Sequence, residues 1–179
     1  MRHAASCALL FCLLALLLFC PALAQDEDLG VLQLIPVACE PDAQAGQVDL
    51  YFGPTQGYLH EEGLTLDLSA SYVCFGQADC WAMGAAGTPD AFGPVGWVEA
   101  AAAQFPEEPL LDFEDALPVM VEDDAGLTAD PMSDAPTILC TVPRGTQVIL
   151  LAYWDEWGYV QTEVHDTPVR AFLPLQTIL

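Results

Sequence analysis

The sequence is poor in positive charge. It has no lysine and no asparagine, and only three Lys and Arg residues stand against 26 Asp and Glu, for a formal net charge of −23. Nucleic acid is excluded as a partner, because phosphate binding needs clustered Lys and Arg. A GC-rich genome explains the missing Lys and Asn but not the scarcity of Arg, whose codons include GC-rich ones. The acidity therefore serves either solubility outside the cell or attraction to a cationic partner.

The N-terminus has the pattern of a signal peptide. Met1-Arg2-His3 precedes an apolar run from Ala4 to Phe19, and the small residues Ala22 and Ala24 predict cleavage before Gln25. The alternative is an uncleaved membrane anchor, although the run is short for a span of about 20 residues. Residues 1–24 are therefore predicted to be a signal peptide. The mature chain is expected to have no stable membrane span and to be secreted, extracellular or associated with the cell wall.

Four cysteines follow the predicted leader: Cys39, Cys74, Cys80 and Cys140. An even number outside the cell favours disulfides, with three possible pairings. Cys74 and Cys80 bracket a segment of hairpin-loop length and are the favoured pair, which leaves Cys39 with Cys140. Buried free thiols are the alternative.

Short apolar runs separated by Gly and Pro predict an all-β protein. The predicted strands form two sets. The first is Val48–Phe52, Leu64–Leu68, Ser71–Phe75, Trp81–Gly84 and Val95–Ala100, and the second is Thr137–Val142, Thr146–Tyr153, Trp157–Val164 and Val169–Pro174.

The second half of the chain repeats the first. Leu50 matches Leu127 and Pro54 matches Pro131 at a spacing of 77, Trp81-Ala82-Met83 matches Trp157-Gly158-Tyr159 at 76, and Gly96-Trp97-Val98 matches Ala171-Phe172-Leu173 at 75. A spacing that drifts by single residues is typical of loop insertions between equivalent strands. We predict an N-terminal extended acidic segment over 25–45, a first module over 46–100, an acidic Ala- and Pro-rich linker over 101–118 and a second module over 119–179.

The second copy resembles bacterial SH3-like domains. The resemblance rests on Gly145-Thr146-Gln147-Val148, then Trp157-Gly158-Tyr159-Val160, then Ala171-Phe172-Leu173-Pro174. The first copy keeps Trp81 and Gly96-Trp97-Val98 but departs from the family pattern in the strand before Trp81. The resemblance implies two tandem small, partly open β-barrels that bind cell walls or other ligands without catalysis.

A ligand groove on such a barrel is lined with aromatic side chains. The candidates are Tyr51, Phe52, Trp81, Tyr153, Trp154 and Trp157, whereas Trp97 and Phe172 are expected in the core because aromatic burial strongly stabilises small domains. The sequence has no catalytic motif and no zinc-ligand spacing, so no catalytic residue, metal or cofactor is predicted.

These observations predict a secreted, non-catalytic binding protein. Its expected ligand is a peptide stem of peptidoglycan or another cell-surface ligand, and the acidity favours amine-bearing groups over anionic wall polymers. The alternative is an extracellular accessory protein that binds a protein partner through a barrel surface or edge.

Overall fold

The fold was described from a computed structural model, which places residues 29–102, 105–106 and 109–179. The predicted signal peptide lies outside the described residues. Nearly all regular structure is β, as the sequence predicted, with short 3-10 turns at Ala100–Ala102 and Leu175–Thr177.

In the described part of the chain, fourteen strands form two seven-stranded sheets. The first module contains β2 (Val37–Cys39), β3 (Gln47–Tyr51), β4 (His60–Asp67), β5 (Tyr72–Ala78), β6 (Trp81–Thr88), β7 (Ala91–Phe92) and β8 (Gly96–Glu99). The sheet of the second module contains β1 (Leu32–Gln33), β9 (Leu117–Met120), β10 (Ala125–Thr128), β11 (Ile138–Val142), β12 (Gln147–Trp154), β13 (Trp157–Val164) and β14 (Thr167–Pro174).

The two sheets have one topology, which confirms the repeat read from the sequence. The order in the first module is β2-β5-β6-β8-β3-β4, and β9, β12, β13, β14, β10 and β11 pair in the same succession in the second. The registers also correspond, since Tyr51 pairs with Trp97 and Thr128 with Phe172. The central hairpin of each module is β5–β6 in the first and β12–β13 in the second. A bulge in its first strand recurs, between Cys74 and Gly76 and between Leu150 and Ala152.

Two arms cross between the modules in a reciprocal way. The N-terminal arm (residues 32–39) first adds β1 in parallel to β12 of the second module and then adds β2 to β5 of the first. The middle arm (residues 109–120) first bridges in parallel to Gln77 of the first module and then adds β9 to β12 of the second. The segments predicted as an acidic extension and a linker therefore cover the edges of both sheets.

Equivalent backbone hydrogen bonds fix both arms. The Leu34 N–H donates to the Tyr153 carbonyl at 2.8 Å, and the Leu111 N–H donates to the Gln77 carbonyl at 2.6 Å. Leu34 and Leu111 are 2 % and 6 % exposed and enter the same core cluster. Each arm is thus anchored by one buried leucine beside the opposite module.

The modules face each other across an approximate two-fold axis. The Val95 N–H donates to the Ala129 carbonyl at 2.8 Å, and the Arg170 N–H donates to the Phe52 carbonyl at 2.7 Å. Val95 corresponds to Arg170 and Phe52 to Ala129 in the repeat, so each bond is the counterpart of the other. Such exchange between matching positions is the signature of an isologous interface, here formed within one chain.

Apolar side chains form three clusters that follow this symmetry. One cluster is the core of the first module, and a second is the core of the second module with Phe52 added from the first. The third joins the modules through residues that include Phe75, Met83 and Trp97 from the first and Tyr159 and Phe172 from the second. The Trp97 Nε1–H donates to the Tyr159 hydroxyl at 2.7 Å inside this cluster.

The central hairpin of each module turns on an aspartate with positive φ. Asp79 has φ 54° and Asp155 has φ 51°, at equivalent places before Trp81 and Trp157. Side chains other than Gly, Asn and Asp rarely adopt this conformation, because Cβ crowds the following carbonyl.

We expect Asp79→Ala and Asp155→Ala each to lower the free energy of unfolding by about 1 kcal/mol, and glycine at either place to avoid that loss. Urea denaturation measures the change. Glu156→Ala is the control, because Glu156 is an exposed turn residue outside the positive-φ set. Equal losses for alanine and glycine at Asp155 would contradict the conformational explanation.

Candidate functional site

The six aromatic residues predicted to line grooves have different surroundings. Phe52 is 1 % exposed and packs against the core of the second module, so its assignment to an open groove is corrected. The Arg170 N–H donates to the Phe52 carbonyl, so the Phe52 backbone is also held against the second module. Trp97 and Phe172 are buried, as expected for core residues.

The three candidates of the second module belong mainly to packing contacts. Trp154 meets Phe92 of the first module in an edge contact, with ring centroids 5.1 Å apart. Trp157 is partly buried against the cluster that joins the modules, and Tyr153 packs against the core of the second module. Their rings therefore contribute mainly to packing within and between the modules.

Tyr51 and Trp81 form a half-buried aromatic group in the first module, where Trp81 also packs against the cluster that joins the modules. The Tyr51 ring stacks on His60 with centroids 4.7 Å apart, and Trp81 approaches Tyr51 edge-on at 5.4 Å. Strand pairing produces this arrangement, since Tyr51 lies opposite both His60 on β4 and Trp97 on β8. His60 is the first residue of β4, and its Nδ1 is 3.1 Å from the Leu50 carbonyl oxygen.

A cleft of about 330 Å³ opens beside Tyr51. Its walls also carry two carboxylates, Asp49 from β3 and Glu99 from β8, together with the Gln47 and Gln56 amides. Both carboxylates are exposed, and Gln56 Nε2 donates to Glu99 Oε1 at 3.4 Å. We call this site the Tyr51 cleft. It combines an aromatic face with carboxylates, the chemistry that recognises an ammonium group.

The second module does not repeat this cleft. By the spacing of the repeat, Asp49 corresponds to Gly126, Tyr51 to Thr128 and Glu99 to Pro174. Thr128 is fully buried, so neither an aromatic ring nor an acid stands at these three places. The aromatic-carboxylate site is thus specific to the first module, although the fold is shared.

Arg170 is held in the seam between the modules. Its guanidinium lies 5.4 Å from the centroid of the Tyr58 ring and 5.2 Å from that of Phe113. Gln161 Oε1 accepts hydrogen bonds from Arg170 Nε at 2.9 Å and from the Tyr58 hydroxyl at 3.1 Å. Arg170 thus stabilises the contact of both modules with the middle arm, a role that no sequence motif indicated.

Tyr159 is the most deeply buried titratable group of the seam. Burial raises the pKa of its hydroxyl well above the ordinary value, and the hydrogen bond from Trp97 only partly opposes this effect. Its ring is therefore neutral at physiological pH, which suits a position between two apolar modules.

The four cysteines carry free thiols, which corrects both predicted disulfides. Cys74 is buried on β5 whereas Cys80 is exposed in the hairpin turn, so the two do not face each other across strands. Cys80 lies in the turn that the pair of Ala78 with Trp81 closes, whereas Cys74 pairs with Gly84 further along the hairpin. Cys39 lies on β2 of the first module and Cys140 on β11 of the second.

The chain matches no protein-family model, no curated protein and no solved structure. The resemblance to bacterial SH3-like domains therefore stays a prediction. Within the residues that the structure describes, no helix is long and apolar enough to cross a membrane.

Proposed function

We propose that the protein is a secreted, non-catalytic binding protein that holds an amine-bearing group of a cell-surface ligand in the Tyr51 cleft. The observation that carries the proposal is the meeting of the Tyr51 ring with Asp49 and Glu99 around one open cleft. The SH3-like resemblance adds the ligand class, the peptide stems of peptidoglycan. These stems carry free amines, which suit an acidic site.

The charge of the chain supports this choice over an anionic ligand. At a net charge of −23, an approaching polyanion is repelled, with an electrostatic range of about 8 Å at physiological salt. A cation is instead attracted toward the carboxylates, which raises the rate of encounter.

The expected affinity of one cleft is low. An exposed cation–π contact contributes about 0.5–1 kcal/mol, and an exposed ion pair about 0.2–1 kcal/mol. One cation–π contact and two ion pairs together contribute about 3 kcal/mol at most, less than the roughly 4 kcal/mol of a millimolar complex, so a dissociation constant of about a millimolar or weaker is expected. Because the cleft is not repeated in the second module, one chain is expected to bind one ligand group there.

Calorimetric titration with a peptide stem that ends in a free side-chain amine tests the proposal. Replacing both acids, Asp49→Asn with Glu99→Gln, is expected to weaken binding by roughly 2- to 30-fold, because two exposed charge contacts of about 0.2–1 kcal/mol each are lost. Tyr51→Leu is expected to weaken it as well. The matched control is Glu122→Gln with Asp123→Asn, which makes the same charge change at two exposed acids away from the cleft.

The same stem with its amine acetylated separates amine recognition from general adhesion. The proposal predicts binding of the free amine only, and binding that weakens as salt is raised. Equal binding of the acetylated stem, or equal losses in the cleft and control variants, would refute the assignment. Retention of the protein by one extracellular protein rather than by wall material would favour the accessory-protein alternative.

A further inference from the structure

Cys39 and Cys74 lie on neighbouring strands of the first module. Strand β2 runs antiparallel to β5, with Cys39 opposite Tyr72 and Val37 opposite Cys74. The two cysteines are therefore diagonal neighbours on one face of the sheet, a relation in which Cα atoms are typically about 7–8 Å apart and Cβ atoms somewhat closer. The sequence analysis favoured other partners for both residues, Cys80 for Cys74 and Cys140 for Cys39.

Both side chains also point to the same interior. Cys74 is a member of the first-module core, 1 % exposed, and Cys39 packs against that cluster from the edge. The Cys39 Sγ–H donates to the Val37 carbonyl oxygen and the Cys74 Sγ–H donates to the Gly76 carbonyl oxygen, each at 3.7 Å. The proximity of the two thiols lowers the pKa of the Cys39 thiol and, together with burial, raises the pKa of the Cys74 thiol.

We propose that Cys39 and Cys74 form a disulfide when the protein meets an oxidising disulfide such as oxidised glutathione. The Cys39 thiolate attacks one sulfur of the oxidant, the oxidant's S–S bond breaks, and one thiolate leaves and takes up a proton. The Cys74 thiol then loses its proton to solvent, and its sulfur attacks Cys39 and displaces the second thiolate. Two protein thiols are oxidised, and one oxidant disulfide is reduced to two thiols.

The fold permits the final approach of the two sulfur atoms. A disulfide needs an S–S distance of about 2.05 Å and closely spaced Cβ atoms. Strand β2 has three residues and lies at the edge of its sheet, and Val37 and Ala38 are exposed, so a small shift of β2 disturbs little packing. The order of the two steps also fits the burial of the thiols. An external oxidant reaches the partly exposed Cys39 before the buried Cys74.

The consequence is a covalent tie between the N-terminal arm and the first module. The bond would close the loop from Cys39 to Cys74 and restrict the unfolded chain. It would also hold the edge of β5 in its paired state. The proposal does not depend on the Tyr51 cleft binding any ligand.

Mass spectrometry of the chain that begins at Gln25, which contains every described residue, tests the pairing. The variant Cys80→Ser with Cys140→Ser keeps only Cys39 and Cys74. After incubation with oxidised glutathione, it is expected to lose two hydrogen atoms in mass and to yield a cross-linked peptide that joins the two cysteines. Its thermal midpoint is expected to rise by several degrees over the reduced form.

Controls distinguish this pair from the others. Cys39→Ser with Cys80→Ser and Cys140→Ser should retain one alkylatable thiol, because Cys74 then has no partner. In the parent chain, Cys80 and Cys140 should enter no cross-link between protein cysteines after oxidation, and the exposed Cys80 should carry at most one glutathione. Two free thiols in the oxidised Cys80→Ser, Cys140→Ser variant, or a Cys74–Cys80 cross-link in the parent chain, would overturn the proposal.

Discussion

Replacing Trp97 with alanine is expected to lower the free energy of unfolding by about 3–5 kcal/mol, the usual cost of removing a buried indole. Trp97 is 0 % exposed and sits in the cluster that joins the modules. The change opens a cavity on both sides of the seam and leaves the Tyr159 hydroxyl without its donor. Equilibrium denaturation in urea, followed by far-ultraviolet circular dichroism, measures the loss.

Two smaller substitutions separate the hydrogen bond from the packing. Tyr159→Phe keeps the ring but leaves the buried indole N–H unpaired, at a cost of about 1–3 kcal/mol. Trp97→Phe with Tyr159→Phe should cost less than the sum of the single changes, because no polar atom of the pair is then left unsatisfied. A strictly additive double variant would show that the bond at 2.7 Å contributes nothing beyond packing.

Leu34→Ala and Leu111→Ala are expected to have similarly large effects, about 2–5 kcal/mol each. Both leucines anchor an arm at an equivalent place beside the opposite module. Either change is expected to destabilise both modules together in one transition, because the arms and the joining cluster couple them. The measurement is the denaturation midpoint followed by tryptophan fluorescence, with Trp154→Phe and Trp157→Phe together to leave only the signal of the first module.

Neighbouring positions provide matched controls for the arms. Ile35→Ala and Leu110→Ala remove side chains that are 59 % and 69 % exposed, one residue from the anchors. Changes within about 0.5 kcal/mol are expected for these two. Two separated transitions in the parent chain, or equal losses at anchors and controls, would show that the modules fold independently.

The internal symmetry constrains only some positions of the repeat, so a binding site can be present on one module and absent from the other. Both modules use the same positions to contact each other, as in the paired bonds of Val95 and Arg170. Those positions are constrained by packing, whereas the end of β3 and the end of β8 are free to differ. Tyr51 and Glu99 occupy these ends in the first module, while Thr128 and Pro174 occupy them in the second.

Several features were predictable because they depend on local patterns. All nine strands predicted from short apolar runs between Gly and Pro are present, with most ends shifted by a few residues. Strand β10 was missed, although the match of Leu50 with Leu127 pointed to it. The short strands β1, β2, β7 and β9 were also missed. Strands of two to four residues carry too little periodicity to be recognised.

The sequence by itself determined the all-β class, the repeat and the acidity, since each depends on residue type and spacing along the chain. Only the tertiary structure decided that Phe52 is buried in the opposite module, that Cys74 lies beside Cys39 rather than Cys80, and that Tyr51 meets Asp49 and Glu99 at a cleft. These relations join residues through sheet register and through the seam between modules. Strand alternation encodes which face a side chain takes, but not which distant strand will cover that face.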